Sequence, residues 1–479
     1  MSLRTEVLHS LKWLAAARFL GQTILWAITL VVIRLLSPED YGLMALATVM
    51  IGFAELFREM GLYSAMVQRR DLTQREIEQS FGLLIIGNGC IYALLFAGAP
   101  GIALFFGDER LTTMIRVLGL QFPLAAVGVV QDAMLSRSMK FKAKSFVNFA
   151  AMMSNGAFTL TFALLGYGVW ALVFGSLAGA VVRPVGLLLV VRHRCRPRFS
   201  VAGMGQMSRF GGYVTASRVL WYFYSRADIF IVGKLLGHEI LGFYAVSLQL
   251  ASMPMQKLSG LINQVGLAAY SSVQADIEIV RAHYLKVVRL ISFFAFPVFF
   301  GLSSVAPELV SVVLGVQWEP AILPLQLLTL VMPLRMISNA GSPALEAIGK
   351  PEIGTGNLVI ASVIMPPAFL LGTVMGGLTG VSIAWVIAFP VLVLLRLRRS
   401  LPPIGVRISE YFLAISRPAF GATVMYGAVV VARESVATLL PNPILGLIFL
   451  IGIGALVYAA LMGGVYRRES REVFELVRR

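Results

Sequence analysis

The chain has 479 residues, 58% of them hydrophobic and only 13% charged, with a mean hydropathy of +0.82. Soluble domains carry about 25% charged residues, so this chain lacks the polar surface to be soluble, and it is too apolar to be disordered. An integral membrane protein remains, in which the net charge of +16 points to basic cytoplasmic loops rather than to nucleic acid.

A membrane-spanning helix needs about 20 mostly apolar residues. Fourteen segments qualify: 13–36, 41–66, 79–106, 111–135, 146–165, 168–191, 210–233, 241–270, 285–314, 321–348, 354–373, 377–395, 412–432 and 443–464. The first is too long for a signal-peptide core and is read as a retained helix. Barrel strands are ruled out, because they are alternating segments of about ten residues. The predicted fold class is all-α integral membrane with about 14 transmembrane helices.

Several of these segments carry charge. The first holds Arg18, and the second Glu55, Arg58 and Glu59. The fourth holds Asp132, read as a salt bridge with Arg137 or as an ion site. The sixth holds Arg183, which reaches the cytoplasmic interface beside Pro184. The seventh places Arg218, Tyr222, Ser225 and Arg226 on one helical face, with Trp221, Tyr224 and Asp228 nearby. The eighth carries Gln249, Gln256, Lys257, Asn263 and Gln264. The tenth has Arg335, which either pairs with Glu346 or lines a cavity, and the thirteenth has Arg417, near a helix end.

Of the 40 Lys and Arg residues, 27 are assigned to one side of the membrane, counting those at the ends of the spans, 5 to the other and 8 to the membrane interior. That bias places both termini in the cytoplasm. The loops on the other side, including 37–40, 107–110, 166–168, 237–240 and 316–320, are too short for an external domain. A cation at mid-bilayer costs about 2.5–3.5 kcal/mol, so the internal ones must face water or pair with acids. Internal acids are fewer, and the surplus calls for an anionic ligand. Glu55 and Arg58, three residues apart, have the alternative of neutralising each other.

The chain repeats itself at an offset of 200 residues. Leu35/Leu235, Leu36/Leu236, Glu39/Glu239, Gly42/Gly242 and Ala45/Ala245 are identical, as are Arg18/Arg218, Leu20/Leu220 and Val32/Val232 upstream. Six helices separate the copies, so two six-helix lobes have the same orientation, in a parallel pseudo-twofold repeat with the substrate path between them. The predicted divisions are 1–199 (helices 1–6), 200–400 (helices 7–12) and 401–479 (helices 13–14 and a cytoplasmic tail).

Other chemistry is not signalled. Two cysteines, Cys90 and Cys195, make neither a disulfide framework nor a metal site. His9, His193, His238 and His283 lack metal-ligand spacing, so no metal and no cofactor are expected. There is no P-loop. Gly175 and Gly179 form a GxxxG, read as helix packing. Glu39-Asp40 after Pro38 reads as a helix start.

The segments 34–43 (RLLSPEDYGL), 61–68 (GLYSAMVQ), 227–237 (ADIFIVGKLLG), 241–244 (LGFY) and 347–351 (AIGKP), with Lys12-Trp13 and Trp318, carry a family resemblance. Together they resemble polysaccharide exporters of the multidrug/oligosaccharidyl-lipid/polysaccharide superfamily, in particular Wzx-like O-unit flippases and colanic-acid-type exporters. The resemblance implies alternating access around a central cavity. It also implies a substrate, an undecaprenyl-diphosphate-linked oligosaccharide, moved from the cytoplasmic to the outer leaflet of the bacterial inner membrane. Arg18, Arg58, Arg218, Arg226, Lys257 and Arg335 are the candidate cavity cations, because Arg makes bidentate phosphate contacts. Trp221, Tyr222, Tyr224, Gln249 and Asn263 are the candidate sugar contacts, and Glu55 and Asp132 the candidates for ion coupling. Expected partners are the lipid-linked substrate, membrane lipids, a polysaccharide polymerase and glycosyltransferases, and no nucleic acid. A cation-coupled multidrug exporter of the same superfamily would need acids to dominate the cavity. A membrane polymerase or ligase would need a large catalytic outer loop.

Overall fold

The computed structural model describes residues 21–464 except 60, 70–71, 192–195, 201–204 and 272–276, with backbone alone at 64–65, 68, 205–218 and 256–271. The described residues are helical or in turns, with no strand among them. Each of the fourteen expected segments contains helix where it is described, and ten described helices are long and apolar enough to cross a membrane. Leu104 and Met375 are each 85% exposed. Apolar side chains pointing outward from backbone whose hydrogen bonds close within each helix are what a lipid solvent requires.

In the first part of the chain the helices are α1 (Gly21–Leu35), α2 (Pro38–Glu55), α3 (Leu62–Gln68), α4 (Gln74–Phe106), α5 (Arg110–Gly119), α6 (Gln121–Arg137), α7 (Phe141–Leu164) and α8 (Val169–Val190). The long α9 (Gly205–Ser271) is broken at Gly237, whose φ of +82° suits a residue without a Cβ. There follow α10 (Ile277–Ser304), the short α11 (Ala306–Leu309) with a π turn to Leu314, and a 3₁₀ turn over Val316–Ala321. The remainder is α12 (Ile322–Asn339), α13 (Gly341–Ala347), α14 (Pro351–Ile404), α15 (Ile408–Leu439) and α16 (Pro443–Gly464). Two spans merge in α14 around Gly376 and Gly377, the latter at φ +54°.

The helix start read from Pro38-Glu39-Asp40 is present. The Ser37 hydroxyl accepts the Asp40 N–H, and the Asp40 carboxylate accepts the Ser37 N–H in return at 3.0 Å, with Pro38 in the first turn. These bonds satisfy backbone donors that a helix start leaves unpaired. The other Asp40 oxygen accepts the N–H of Val169, the first residue of α8, at 2.8 Å.

Four expected spans are interrupted, 111–135 at Leu120 and 321–348 at Ala340 among them. Segment 41–66 is not one helix: α2 ends at Glu55, and the chain turns through Gly61 (φ +71°) before α3. Glu55, Arg58 and Glu59 put three charges in five residues there, and an acid at a helix C-terminus opposes the helix dipole. In segment 285–314 the α-helix stops at Ser304, and the remainder continues in short helical pieces.

The chain divides into two compact units, Met1–Gly242 and Phe243–Arg479. In the first, Leu43, Leu46, Ile115, Phe122, Val130 and Val173 are buried. The α7–α8 pair packs closely because Gly175 lies against Thr159 and the Asn155 carbonyl, and Gly179 against the Ala151 carbonyl, as the GxxxG spacing predicts. In the second unit Tyr284, Phe299, Leu325, Phe369, Phe389 and Tyr411 are buried among α10, α12, α14 and α15, and the Tyr458 hydroxyl of α16 donates to the Phe293 carbonyl at 2.9 Å.

Candidate functional site

The described part of the candidate path in the first unit lies where the end of α2 meets the first half of α9. Arg58, in the turn after α2, lies 3.4 Å from Glu55 and 3.8 Å from Glu59. Its backbone carbonyl accepts a hydrogen bond at 3.0 Å from Asn88 Nδ2 of α4. Asn88 is fully buried, so it fixes this turn to the unit's interior. Two carboxylates thus neutralise the one guanidinium. Arg58 is thus the centre of an ion-pair group, the alternative its spacing from Glu55 offered, and Glu55 is an exposed member of that group.

Across from the turn, Trp221 and Phe223 of α9 are 54% and 59% exposed, and Arg226 is exposed with no ion-pair partner among the described residues. Tyr222 differs: it is buried, and its hydroxyl donates to the Val49 carbonyl of α2 at 2.7 Å. Arg226 and Glu55 both lie within electrostatic reach of that hydroxyl. Phe53, Phe57, Tyr222 and Phe223 form one ring cluster, with neighbouring centroids 5.5–6.2 Å apart. Tyr224 is also buried. Tyr222 and Tyr224, both candidate sugar contacts, are thus packed in this conformation. Trp221, Phe223 and Arg226 form the accessible surface.

In the second unit, the Arg335 guanidinium lies 5.0 Å from the centroid of the Trp385 ring. Trp385 donates its indole N–H to the Tyr244 hydroxyl at 2.8 Å and sits between Phe369 and Phe389. Arg335 is half-buried and makes no ion pair, with Glu346 or any other described acid. Its cation–π contact leaves its charge uncancelled. Gln249 is half-buried in this unit as well.

Asp132 is engaged. Its carboxylate meets Lys144 at 2.7 Å and Arg183 at 3.0 Å. Lys144 also donates to the hydroxyls of Tyr63 and Ser136, each at 2.9 Å. The predicted salt bridge exists, but with α7 and α8 rather than with Arg137, which donates to the carbonyls of Met66 and Arg69. Arg183 accordingly turns to Asp132. Of the remaining candidates, Arg18 lies outside the described residues, and the side chains of Arg218, Lys257 and Asn263 lie outside the described portion.

One group was not legible in the sequence. Glu39, Asp108, Arg110 and His238 come together from three loops. Arg110 pairs with Glu39 and, at 2.7 Å, with Asp108. His238 lies 3.3 Å from Glu39 and 3.7 Å from Asp108. The ligand atoms of the two acids and the histidine converge within 4.8 Å, but Arg110 already lies among them, so the group is an ion-pair cluster. Beside it, a Cβ on Gly42 would overlap the His238 carbonyl oxygen, and a Cβ on Gly242 would overlap the Pro38 carbonyl oxygen. These are repeat-related pairs, so the two copies of the repeated loop touch reciprocally.

The chain is 24% identical to the lipopolysaccharide biosynthesis protein WzxC of Escherichia coli, over 87% of this chain and 86% of that protein. It is 24% identical to the succinoglycan biosynthesis transport protein ExoT of Rhizobium meliloti, over 93% and 90%. The solved lipid II flippase MurJ, in its inward closed conformation, superposes with a TM-score of 0.78 at 16% identity, covering 95% of this chain and 99% of that one. The all-α transporter fold is therefore shared. A family model described as polysaccharide biosynthesis protein matches residues 31–323. Since that match takes in more than half of a chain that is helical, multi-pass and built like a flippase, the chain belongs to the polysaccharide biosynthesis protein family.

Proposed function

We propose that this protein flips undecaprenyl-diphosphate-linked oligosaccharide, a polysaccharide repeat unit, from the cytoplasmic to the outer leaflet by alternating access. The observation that carries the reading is a pair of cations that make no ion pair among the described residues, within a polysaccharide-family chain. Arg226 is exposed on α9, which also exposes Trp221 and Phe223, and Arg335 lies over the buried Trp385 ring. A diphosphate suits guanidinium donors, and sugar rings suit exposed aromatic faces. Arg18, Arg218 and Lys257 would add to the same cationic path, and Gln249 and Asn263 to its sugar contacts. Glu55 is the better-placed candidate for ion coupling, since Asp132 would first have to leave Lys144 and Arg183. The lobes are helices 1–6 (1–199) and 7–12 (200–400), followed by helices 13–14. The setting is the bacterial inner membrane with both termini cytoplasmic, beside a polymerase and glycosyltransferases.

The test is depletion of the protein, with radiolabelled lipid-linked sugar followed in each leaflet. Label should accumulate in the cytoplasmic leaflet and return to the outer one on re-expression. Normal outer-leaflet delivery in depleted cells that lack a second exporter would end the proposal.

A further inference from the structure

The cluster at the loop ends of the first unit has no part in holding a substrate phosphate, because its acids outnumber its permanent cation. Glu39 stands in the first turn of α2, Asp108 and Arg110 flank the start of α5, and His238 follows the Gly237 break in α9. The imidazole presents one nitrogen to each acid, Nε2 to Glu39 at 3.3 Å and Nδ1 to Asp108 at 3.7 Å. The Asp108 side chain is only 8% exposed. With a neutral ring, two carboxylates share Arg110 alone; a proton on the ring balances the group.

The neighbouring charges do not compete for the ring. Asp40, Glu109 and Glu239, the other acids of these loops, make no ion pair with it, and Asp40 is held by Ser37 and Val169. Lys234, on the same helix as His238, donates instead to the Phe105 carbonyl and lies over the Phe105 ring. Hydrogen bonding from Arg110 holds the Glu39 carboxyl below the usual carboxylate range. Burial pushes Asp108 up, but its bonds to Arg110 outweigh that and leave it lowered as well. Both acids therefore stay charged across about pH 5–8, where histidine as a class changes charge.

We propose that His238 makes this junction a proton-responsive latch: a protonated ring tightens the hold of the α9 turn on α2 and on the α4–α5 loop, and a neutral ring loosens it. The proposal rests on the alternating-access reading in one respect, that α2 and the first half of α9 separate during the cycle. The loop charges orient this junction toward the outside of the cell, so the latch holds the path shut on that side and external pH sets how readily it opens.

The experiment places spin labels at Leu35→Cys and Leu235→Cys in the full chain, with Cys90→Ser and Cys195→Ser, reconstituted in lipid nanodiscs. Both positions are exposed, at 44% and 47%, and neither is in the cluster. Pulsed dipolar distances are read without substrate. Raising the pH from about 5.5 to 8 should shift the ratio of long to short distances about threefold, the scale of two part-exposed ion pairs. His238→Gln should show the high-pH distribution throughout, and His238→Arg the low-pH one. A pH response that survives in His238→Gln, or no response in the parent, would overturn the latch. Because no transport is measured, failure of the latch and failure of the flippase reading are separate results.

Discussion

The guanidinium of Arg335 rests on the indole face of Trp385, 5.0 Å from the ring centroid, with no ion pair among the described residues. An uncompensated charge in an apolar helix is held there by a ring quadrupole and by water or a ligand. Arg335→Ala should lower outer-leaflet delivery about tenfold, the scale of one charge-assisted contact. Arg335→Lys should fall between, since an ammonium keeps the charge but loses the planar fork. Labelled-sugar delivery at matched protein levels checks both.

Arg226 offers the same test in the first unit. It is exposed, with no ion pair among the described residues, on the helix that also exposes Trp221 and Phe223. Arg226→Glu should abolish delivery, and Trp221→Ala should reduce it severalfold, while Tyr222→Phe should act on stability. The last change leaves the Val49 carbonyl without its donor, at a cost of about 1 kcal/mol. Thermal unfolding in detergent separates the Tyr222 effect from the other two.

Asp132→Asn removes the one acid that Lys144 and Arg183 share. The variant should lose about 3 kcal/mol of stability through unpaired, partly buried cations. Adding Lys144→Gln should recover part of that loss, and a double-mutant cycle reads the coupling.

Gly42 has no room for a side chain against the His238 backbone, whereas Gly89 of α4 faces open space. Gly42→Ala should cost about 1–3 kcal/mol as an overpacked contact. Gly242→Ala should match it, because the contact is reciprocal. Gly89→Ala should be neutral or slightly stabilising, with the melting temperature in lipid as the measurement.

The loop-end cluster should respond to pH with two signs. In the proposed latch, a protonated His238 ring tightens the group. Glu39 and Asp108 have lowered carboxyl pKa values, so their contribution is present above the unfolded carboxylate range and is lost as pH falls through the folded values. The closed fraction should therefore rise and then fall on acidification, with its maximum above the carboxylate transitions. The same spin-labelled pair shows it.

Apolar runs made the helices legible, because a lipid solvent leaves little choice of backbone; the start of the last span, at Pro443, was read to the residue. The break after Glu55 was signalled by three charges in five residues, but charge alone does not distinguish a buried cation from a hydrated turn. Partners were less accessible. Asp132 was paired by nearness in sequence with Arg137, whereas helix packing supplies Lys144 from α7 and Arg183 from α8. His238 reaches Glu39 only because the two repeated loops cross at Gly42 and Gly242. The offset of 200 contained that pairing in principle, since residues near a pseudo-twofold axis meet their own counterparts.

The carboxylate of Asp40 completes the start of α2 with one oxygen and the start of α8 with the other. The two helix ends are separated by well over a hundred residues of chain. During synthesis α2 enters the bilayer with its own cap already made, but the second Asp40 oxygen meets its donor only after α8 has left the ribosome. The tie between the first hairpin and the sixth span is thus made late, and a truncation before Val169 leaves that oxygen without the Val169 N–H and the hairpin exposed to quality-control proteolysis.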